Sequence, residues 1–289
     1  MPGLSVSVVV TVLNGEAFVD RCLDALATQT LRPREIVVID DGSTDATSSK
    51  LVAARERHGD MVRLHRHGNR GAAASLNVAH SMCSGNYIAN ADVDDDFPPD
   101  RLAKSVALME ANGADLGGGQ VDGWLDVGWR RRPLRFAVSR FATDPGGIAD
   151  RLVKGLDPLP HATMIVRRDA VARFGGYRRL FQGEDLELML RWARLGARIA
   201  VSPDVLASYR FRPEFFALDT QTRWMLNTRY AREVAACDDS DVPDFAAWLQ
   251  RAPLRAARRE AFVRVVRLGG RLAVGELEAV GVRRRGASR

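Results

Sequence analysis

The sequence predicts an α/β protein, in which a Rossmann-like, mostly parallel sheet is flanked by helices and followed by a helical C-terminal extension. Short apolar segments rich in β-branched residues alternate with helical patterns, as expected of strands that are covered on both faces in a parallel sheet. Beyond Pro213 only the helical pattern continues.

The first strand and helix set this pattern. Leu4–Thr11 is almost entirely apolar, and Glu16–Thr28 carries apolar residues at helical spacing. Further strands are predicted at Glu35–Asp40, Val62–Arg66, Tyr87–Ala91, Asp115–Val121, Arg198–Ser202 and Val205–Arg210. Because ligands in such sheets collect at the carboxyl ends of the strands, we expect the polar groups after the first, second and fourth strands to share one site.

An acidic cluster follows the fourth predicted strand. The segment Tyr87–Leu102 reads YIANADVDDDFPPDRL, and its cluster consists of Asp92, Asp94, Asp95 and Asp96. Crowded carboxylates take up a proton or bind a cation, and hard oxygen ligands suit Mg²⁺ or Mn²⁺. The alternative is an acidic loop that caps the next helix through Asp100.

Composition excludes several classes of protein. The 289 residues are 46% hydrophobic, which fits an ordinary soluble protein, and no apolar run reaches the ~20 residues of a membrane-spanning helix. The N-terminal segment lacks a basic region before its apolar run, which points to the cytoplasm. Three widely spaced cysteines without a CxxC pair indicate neither a disulfide framework nor a zinc site.

Positive charge is concentrated at the C-terminal end. The net charge is +6, but from Arg251 onward eleven arginines face only three glutamates. Apolar residues recur there at helical spacing: Leu254, Ala257, Ala261, Val265, Leu268 and Leu272. Such a helix either packs on the catalytic domain or on a second subunit, or lies on an anionic membrane surface. No nucleic-acid partner is expected, because no recognised nucleic-acid fold or aromatic platform is present.

A dinucleotide-binding fold is excluded by the end of the first strand. It reads TVLNGE, and no GxGxxG follows it. Phosphate must therefore be held differently. A nucleotide bound by carboxylates and a metal fits the residues present, with Asp40 or Asp41 accepting from the base or ribose and Asp94 or Asp95 holding the ion.

Five segments together resemble the family 2 glycosyltransferases, which are inverting enzymes of the GT-A fold. They are TVLN, IVVIDDGSTD, NRGAAASLN, GNYIANADVDDDFPPDRL and FGGYRRLFQGEDLELMLRWARLG. The resemblance extends from about Leu4 to Arg212. It implies a nucleotide-sugar donor, a divalent metal (Mn²⁺ or Mg²⁺), and one carboxylate that serves as the catalytic base.

The resemblance also implies roles for individual residues on the donor side. Asp92-Val93-Asp94 matches the family's DxD motif, and either Asp94 or Asp95 is the direct metal ligand. The implied nucleotide-binding residues are Thr11, Asn14, Glu16, Asp40, Asp41, Gly71, Asn77, Asp92, Val93 and Asp94. For Asp40 and Asp41 the alternative is a plain turn before a helix.

On the acceptor side the resemblance implies that Asp185 is the general base and that Glu184 is an acceptor or loop contact. The helix dipole would explain one acid in a first helical turn without any catalytic role. Trp124 and Trp129 are candidates for stacking on a sugar ring, with hairpin packing as the alternative. His161 is a candidate substrate contact or a structural histidine, and Arg210 or Arg212 either reaches the diphosphate or lies on the surface.

The prediction is thus a catalytic domain over residues 1–212, with a nucleotide and metal half (1–121) and an acceptor half (122–212), followed by a basic helical extension (213–289). The predicted activity is inverting transfer from a nucleotide-sugar, with a UDP-sugar favoured, to a saccharide, lipid-linked or other hydroxyl acceptor. Two other classes are a non-catalytic nucleotide-sugar-binding protein and a sugar-nucleotide pyrophosphorylase. The intact Asp185 argues against the first, and the absence of a glycine-rich, basic first loop argues against the second. The sequence leaves open the nucleotide base, the acceptor, a homodimer and peripheral membrane contact.

Overall fold

The computed structural model describes residues 4–125, 134–137, 140–180, 182–211, 215, 217–238 and 241–263. Its strands are β1 (Val6–Val12), β2 (Glu35–Asp40), β3 (Val62–Arg66), β4 (Tyr87–Asp92), β5 (Leu116–Leu125), β6 (Leu134–Ala137), β7 (Ile165–Arg167) and β8 (Ile199–Phe211). They form one sheet in the order β3-β2-β1-β4-β7-β5-β6, and β8 pairs with β5.

Helices cover the sheet and continue beyond it. They are α1 (Val19–Ala27), α2 (Thr47–His58), α3 (Ala72–Met82), α4 (Arg101–Asn112), α5 (Pro145–Val153), α6 (Arg168–Phe174), α7 (Glu184–Arg194), α8 (Leu218–Ala236) and α9 (Phe245–Arg251). Strands β1 to β4 are mutually parallel where they pair, and β7 joins them antiparallel. The predicted α/β fold, with a mostly parallel sheet and helices after it, is confirmed.

The apolar strands are buried on both faces. In β1, Val8 and Val10 belong to one core cluster, whereas Val9 belongs to the cluster on the opposite side of the sheet. Successive side chains of a strand point to opposite faces, so only an uninterrupted apolar run can fill both cores. This is why the sequence pattern predicts the central strands well.

The last predicted pair of strands is a single element. β8 runs through the whole segment that was expected to hold two strands, and its register against β5 shifts between Gly118 and Gln120 and again before Val121. The irregularity lets one long strand continue past the interruption in the apolar pattern at Ser202 to Asp204.

A third core cluster joins the C-terminal helices. Trp248 of α9 packs with Leu226 and Tyr230 of α8 and donates its indole N–H to Glu233 (2.7 Å). Ala257 and Ala261 of the next helical segment, residues 254–263, are fully buried.

Part of the predicted C-terminal helix therefore packs on the protein itself. Val265, Leu268 and Leu272 lie outside the described residues, and membrane contact and a homodimer stay predictions. Within the described part of the chain, none of the helices has the length and apolar character needed to span a membrane.

Candidate active site

The acidic loop after β4 is attached to β8 through its main chain. The N–H of Asp96 donates to the Ser208 carbonyl (3.2 Å), and the N–H of Ser208 donates to the Asp96 carbonyl (2.8 Å). The Arg210 N–H donates to Asp95 Oδ1 at 3.2 Å. A strand more than a hundred residues away in the sequence thus fixes the loop in position. Asp100 occupies the N-cap position of α4, as the alternative interpretation expected, but its carboxylate makes no capping hydrogen bond and instead pairs with Lys104 (2.9 Å).

The four acids of this loop have different surroundings. Asp96 pairs with Arg21 (2.7 Å), and its side chain is 39% exposed. Asp95 is only 5% exposed, and burial together with the charges of Asp92 and Asp94 raises its pKa to about 9. Asp92 and Asp94 are partly buried and lie with Asp95 on one wall of a cavity. Negative charge is therefore concentrated on this wall, as a cation-binding site requires.

The second pair of acids begins α7. Glu184 and Asp185 follow Gly183, which adopts a left-handed conformation (φ 84°). A side chain at Gly183 would be strained by this φ and would also meet Ala231 of α8 at 3.0 Å. Asp185 Oδ1 accepts from the Leu186 N–H (2.8 Å), and burial with the Asp185 charge raises the pKa of Glu184 to about 7.

One cavity of about 530 Å³ brings the two acidic groups together. Asp92, Asp94 and Asp95 of the loop and Asp185 of α7 all line it. The rest of the wall is mainly apolar and aromatic, and consists of Val121, Phe141, Asp157, Leu159, Pro160, His161, Tyr209, Arg210, Phe211, Phe215, Thr220 and Trp224. The predicted catalytic base Asp185 and the predicted metal ligands Asp94 and Asp95 thus meet in a single cavity. Glu184 immediately precedes Asp185 in the chain.

The two acids after β2 are engaged by the surrounding loops. Asp40, which is 2% exposed, accepts from the Ser43 N–H (2.8 Å) and from the Ser48 hydroxyl, and Arg66 lies at 3.3 Å. Burial opposes ionisation of Asp40, but the hydrogen bonds from Ser48 and Ser43 lower its pKa.

Asp41 accepts from the main-chain N–H groups of Arg70 (2.8 Å) and Gly71 (3.0 Å), and the His67 ring lies at 3.2 Å. These contacts fix the loop before α3, and neither Asp40 nor Asp41 lines the cavity described above. The predicted contact of this pair with a base or ribose stays a prediction.

The residues after β1 also contact the β2 loop. Asn14, with φ 54°, accepts from the Thr44 N–H (2.8 Å), and Glu16 accepts from the Ala46 N–H (2.9 Å) at the start of α2. Thr11 pairs in register with Asp92 of β4, which places it at the same edge of the sheet. The predicted contacts of these residues with a nucleotide stay predictions. Asn14 and Glu16 join the loop after β1 to the loop after β2.

Three further residues that were predicted to bind the nucleotide have identifiable structural roles. Both polar atoms of the Asn77 amide bond the main chain of Tyr177, donating to its carbonyl (2.7 Å) and accepting from its N–H (2.8 Å). Gly71 begins α3 with φ 85°, and Val93 packs against the core beneath Gly15. The Asn77 side chain therefore joins α3 to the segment that precedes α7, and it does not line the cavity.

His161 links the acidic loop to a buried polar chain. Its Nδ1 lies 3.7 Å from Asp92, and its Nε2 contacts Asn90 (2.9 Å) and the Tyr177 hydroxyl (3.0 Å). Burial alone would lower the pKa of His161, but the Asp92 carboxylate outweighs it and raises the pKa to about 9. The histidine therefore lies at the cavity wall and also supports Asp92.

Two predicted substrate contacts, Trp124 and Arg210, pack against each other. The Arg210 guanidinium lies over Phe18 (4.4 Å) and over Trp124 (5.3 Å), so Trp124 packs on a cation of the protein itself. Trp129, the run Arg130 to Arg132, and Arg212 lie outside the described residues.

Asp157 and the residues of α8 were not identified from the sequence as part of the cavity wall. Asp157, in the segment between α5 and β7, lines the cavity, and no motif marks it beyond its place next to Pro158. Thr220 and Trp224 come from α8. The predicted boundary at residue 212 therefore passes through the wall of the site, and the first helix of the extension helps to build it.

The donor set fits a hard divalent cation. The acids that line the cavity beside β4 offer only carboxylate oxygens, which Mg²⁺ and Mn²⁺ prefer. Among the described residues no three His, Cys, Asp or Glu side chains are placed to hold a metal by themselves. This agrees with an ion bound by one or two carboxylates, with substrate phosphates and water as its other ligands.

Comparison with known proteins decides the family. Residues 7–175 match the model of glycosyl transferase family 2. The chain belongs to this family. This glycosyltransferase is 30% identical over 207 residues to the amylovoran biosynthesis glycosyltransferase AmsE of Erwinia amylovora, covering 71% of this chain and 75% of AmsE. It is 31% identical over 201 residues to the putative glycosyltransferase EpsE of Bacillus subtilis, covering 68% and 69% of the two chains.

Solved structures show the same GT-A fold. The mannosyltransferase PcManGT from Pyrobaculum calidifontis, in complex with GDP-Man and Mn²⁺, is 20% identical with a TM-score of 0.62, over 99% of this chain and 77% of that one. S. aureus TarS 1-349 in complex with UDP-GlcNAc is 22% identical with a TM-score of 0.57, over 82% of this chain and 69% of that one. The family 2 chain is thus a glycosyltransferase of GT-A fold, as the resemblance implied.

Proposed function

We propose that this glycosyltransferase moves a sugar from a nucleoside-diphosphate sugar to an acceptor hydroxyl by single displacement with inversion, and that Asp185 is the general base. The observation that carries the proposal is the shared cavity, which Asp185 lines together with Asp92, Asp94 and Asp95. Carboxylates for the donor and a separate carboxylate for the acceptor in one chamber are what a single displacement needs.

In the proposed reaction the acceptor hydroxyl attacks the anomeric carbon from the face opposite the diphosphate. Asp185 takes the hydroxyl proton as the new C–O bond forms, and the bond between the anomeric carbon and the diphosphate oxygen breaks. No covalent intermediate with the enzyme forms, so the configuration at the anomeric carbon inverts. The wall is mainly apolar and aromatic, and such surroundings strengthen electrostatic contacts relative to bulk water.

A divalent cation, Mn²⁺ or Mg²⁺, held by Asp94 or Asp95, would neutralise charge on the leaving diphosphate. Arg210 lies at the same wall, and its stacking on Phe18 and Trp124 limits the freedom of the guanidinium. A UDP-sugar is the favoured donor. TarS has been solved with UDP-GlcNAc, whereas PcManGT has been solved with GDP-Man, so the base must be measured.

Calorimetric titration of UDP, GDP and dTDP, with and without Mn²⁺, tests the donor side. We expect one nucleotide to bind only with the metal, and at least one of Asp94→Ala and Asp95→Ala to weaken it at least about tenfold, since one of these two carboxylates is proposed to hold the ion.

Asp96→Ala is the matched control for this titration. It removes an acid of the same loop that pairs with Arg21 at the surface and does not line the cavity. Binding that ignores the metal, or that falls equally in all three variants, would argue against the proposed donor site.

A further inference from the structure

Asp157 carries a carboxylate oxygen with no hydrogen-bond partner. Its Oδ1 is buried, and it is the one carboxylate oxygen of the described residues that is buried in this way. Burial and the charge of Asp185 raise the pKa of Asp157 to about 7. A buried hydrogen-bond acceptor without a partner lowers the stability of the folded state, so this oxygen calls for an explanation.

Other acids nearby are satisfied by the protein. Asp144 caps α5 by accepting from the Gly147 N–H (2.8 Å), and Asp150 pairs with Lys154 (2.6 Å). At Asp157 the cation Arg151 instead donates its Nε–H to the main-chain carbonyl (2.7 Å). Arg232 donates likewise to the Gly155 carbonyl (2.6 Å). Neither arginine thus donates one of these hydrogen bonds to the Asp157 carboxylate, whose Oδ1 lacks a partner although the residue lines the cavity.

Aromatic rings form another part of the same cavity wall. The rings of Tyr209 and Phe211 make an edge-to-face pair with their centroids 6.1 Å apart, and those of Phe211 and Phe215 make another at 4.9 Å. Trp224 also lines the cavity. Aromatic faces pack against the apolar C–H face of a sugar ring, whereas carboxylates accept from its hydroxyls. A chamber with both features suits a polyhydroxylated ring better than a simple alcohol or a peptide.

We infer that Asp157 is an acceptor-binding residue, which takes a hydrogen bond from a second hydroxyl of a sugar-ring acceptor while Asp185 faces the hydroxyl that reacts. This inference rests on the proposed function and adds the substrate class to it. Two carboxylates in one wall, each opposite a different hydroxyl, would select the ring position that is glycosylated.

The test uses the full chain with Mg²⁺ and a saturating concentration of whichever of UDP, GDP and dTDP binds in the calorimetric titration. Saturation-transfer NMR titrations measure the dissociation constants of four probes, the methyl pyranosides of glucose, galactose, mannose and rhamnose. We expect at least one to bind, and Asp157→Asn to weaken it about tenfold or more, the usual loss for a hydrogen bond to a charged group. Asp150→Asn, which changes an exposed acid of α5, should leave binding unchanged.

Deoxy derivatives of the bound glycoside then identify the hydroxyl. Removing the hydroxyl that faces Asp157 should weaken binding to the wild-type protein about tenfold but should weaken binding to Asp157→Asn much less, because the charged acceptor is already lost. Thermal melting shows whether the variant is folded.

The outcomes separate the two proposals. If one of the nucleotides binds but none of the four glycosides does, or if the glycosides bind Asp157→Asn as tightly as the wild type, the inference about Asp157 is overturned while the proposed function stands. If UDP, GDP and dTDP all fail to bind, the proposed function itself fails.

Discussion

Glu184 and Asp185 are adjacent acids with different surroundings. Both lie in the first turn of α7, where the helix dipole favours negative charge. Asp185 lines the cavity, whereas burial beside the Asp185 charge raises the pKa of Glu184 to about 7. At neutral pH the two acids thus need not both carry charge, which reduces the repulsion between neighbours.

The raised pKa of Glu184 predicts how stability depends on pH. The folded protein holds this proton up to about pH 7, whereas the unfolded chain loses it near the usual value of 4.5. Between these values the folded state binds more protons, so stability falls as pH rises through the window. In urea unfolding at pH 4.5 and pH 8, we expect Glu184→Gln to gain ~1–3 kcal/mol relative to wild type at the higher pH. A difference that stays constant with pH would contradict the assignment.

The placement of residues at the site was predictable where a motif gives residue type and spacing together. Asp185, Asp94 and Asp95 were named from their segments and meet at one cavity. Asp157 was not, because a single acid in an irregular segment has no pattern, and only the fold shows that its oxygen lacks a partner.

At the scale of elements, β8 both positions the acidic loop and lines the cavity with Tyr209, Arg210 and Phe211. β8 holds the acidic loop through main-chain bonds at Ser208 and Arg210. Main-chain pairing leaves no trace in residue identity, so this contact could not be predicted. The strands β1, β2 and β4 were predictable because both faces of each are buried and mainly apolar.

Asn77 shows how an element contact can be mistaken for a ligand contact. Asn77→Ala removes both bonds between α3 and the Tyr177 main chain, so we expect a loss of about 1–3 kcal/mol in unfolding free energy. We also expect nucleotide affinity to stay within about twofold, because the amide does not line the cavity.

Asn112→Ala is the control for this measurement, since Asn112 bonds only within its own helix α4. Affinity that falls at least tenfold while stability is kept would instead make Asn77 a nucleotide contact, as the resemblance implied.

At the scale of the whole molecule, the cavity is built from distant parts of the chain. Its wall combines the loop after β4, the segment before β7, the start of α7, the end of β8 and one face of α8. The sequence predicted the α/β order and the helical extension. It could not predict that α8 lines the cavity, because the hydrophobic pattern shows which face of a helix is buried but not what it packs against.

The central claim is that the chamber separates donor binding from proton transfer, with Asp185 responsible only for the latter. The most direct measurement compares wild type and Asp185→Asn for nucleotide affinity and for nucleoside diphosphate release from the matching nucleotide-sugar, with water as the acceptor. We predict that release falls at least about 100-fold, the usual effect of a general base, while the dissociation constant changes by no more than about twofold. Release that persists in Asp185→Asn, or affinity that falls together with release, would contradict the claim.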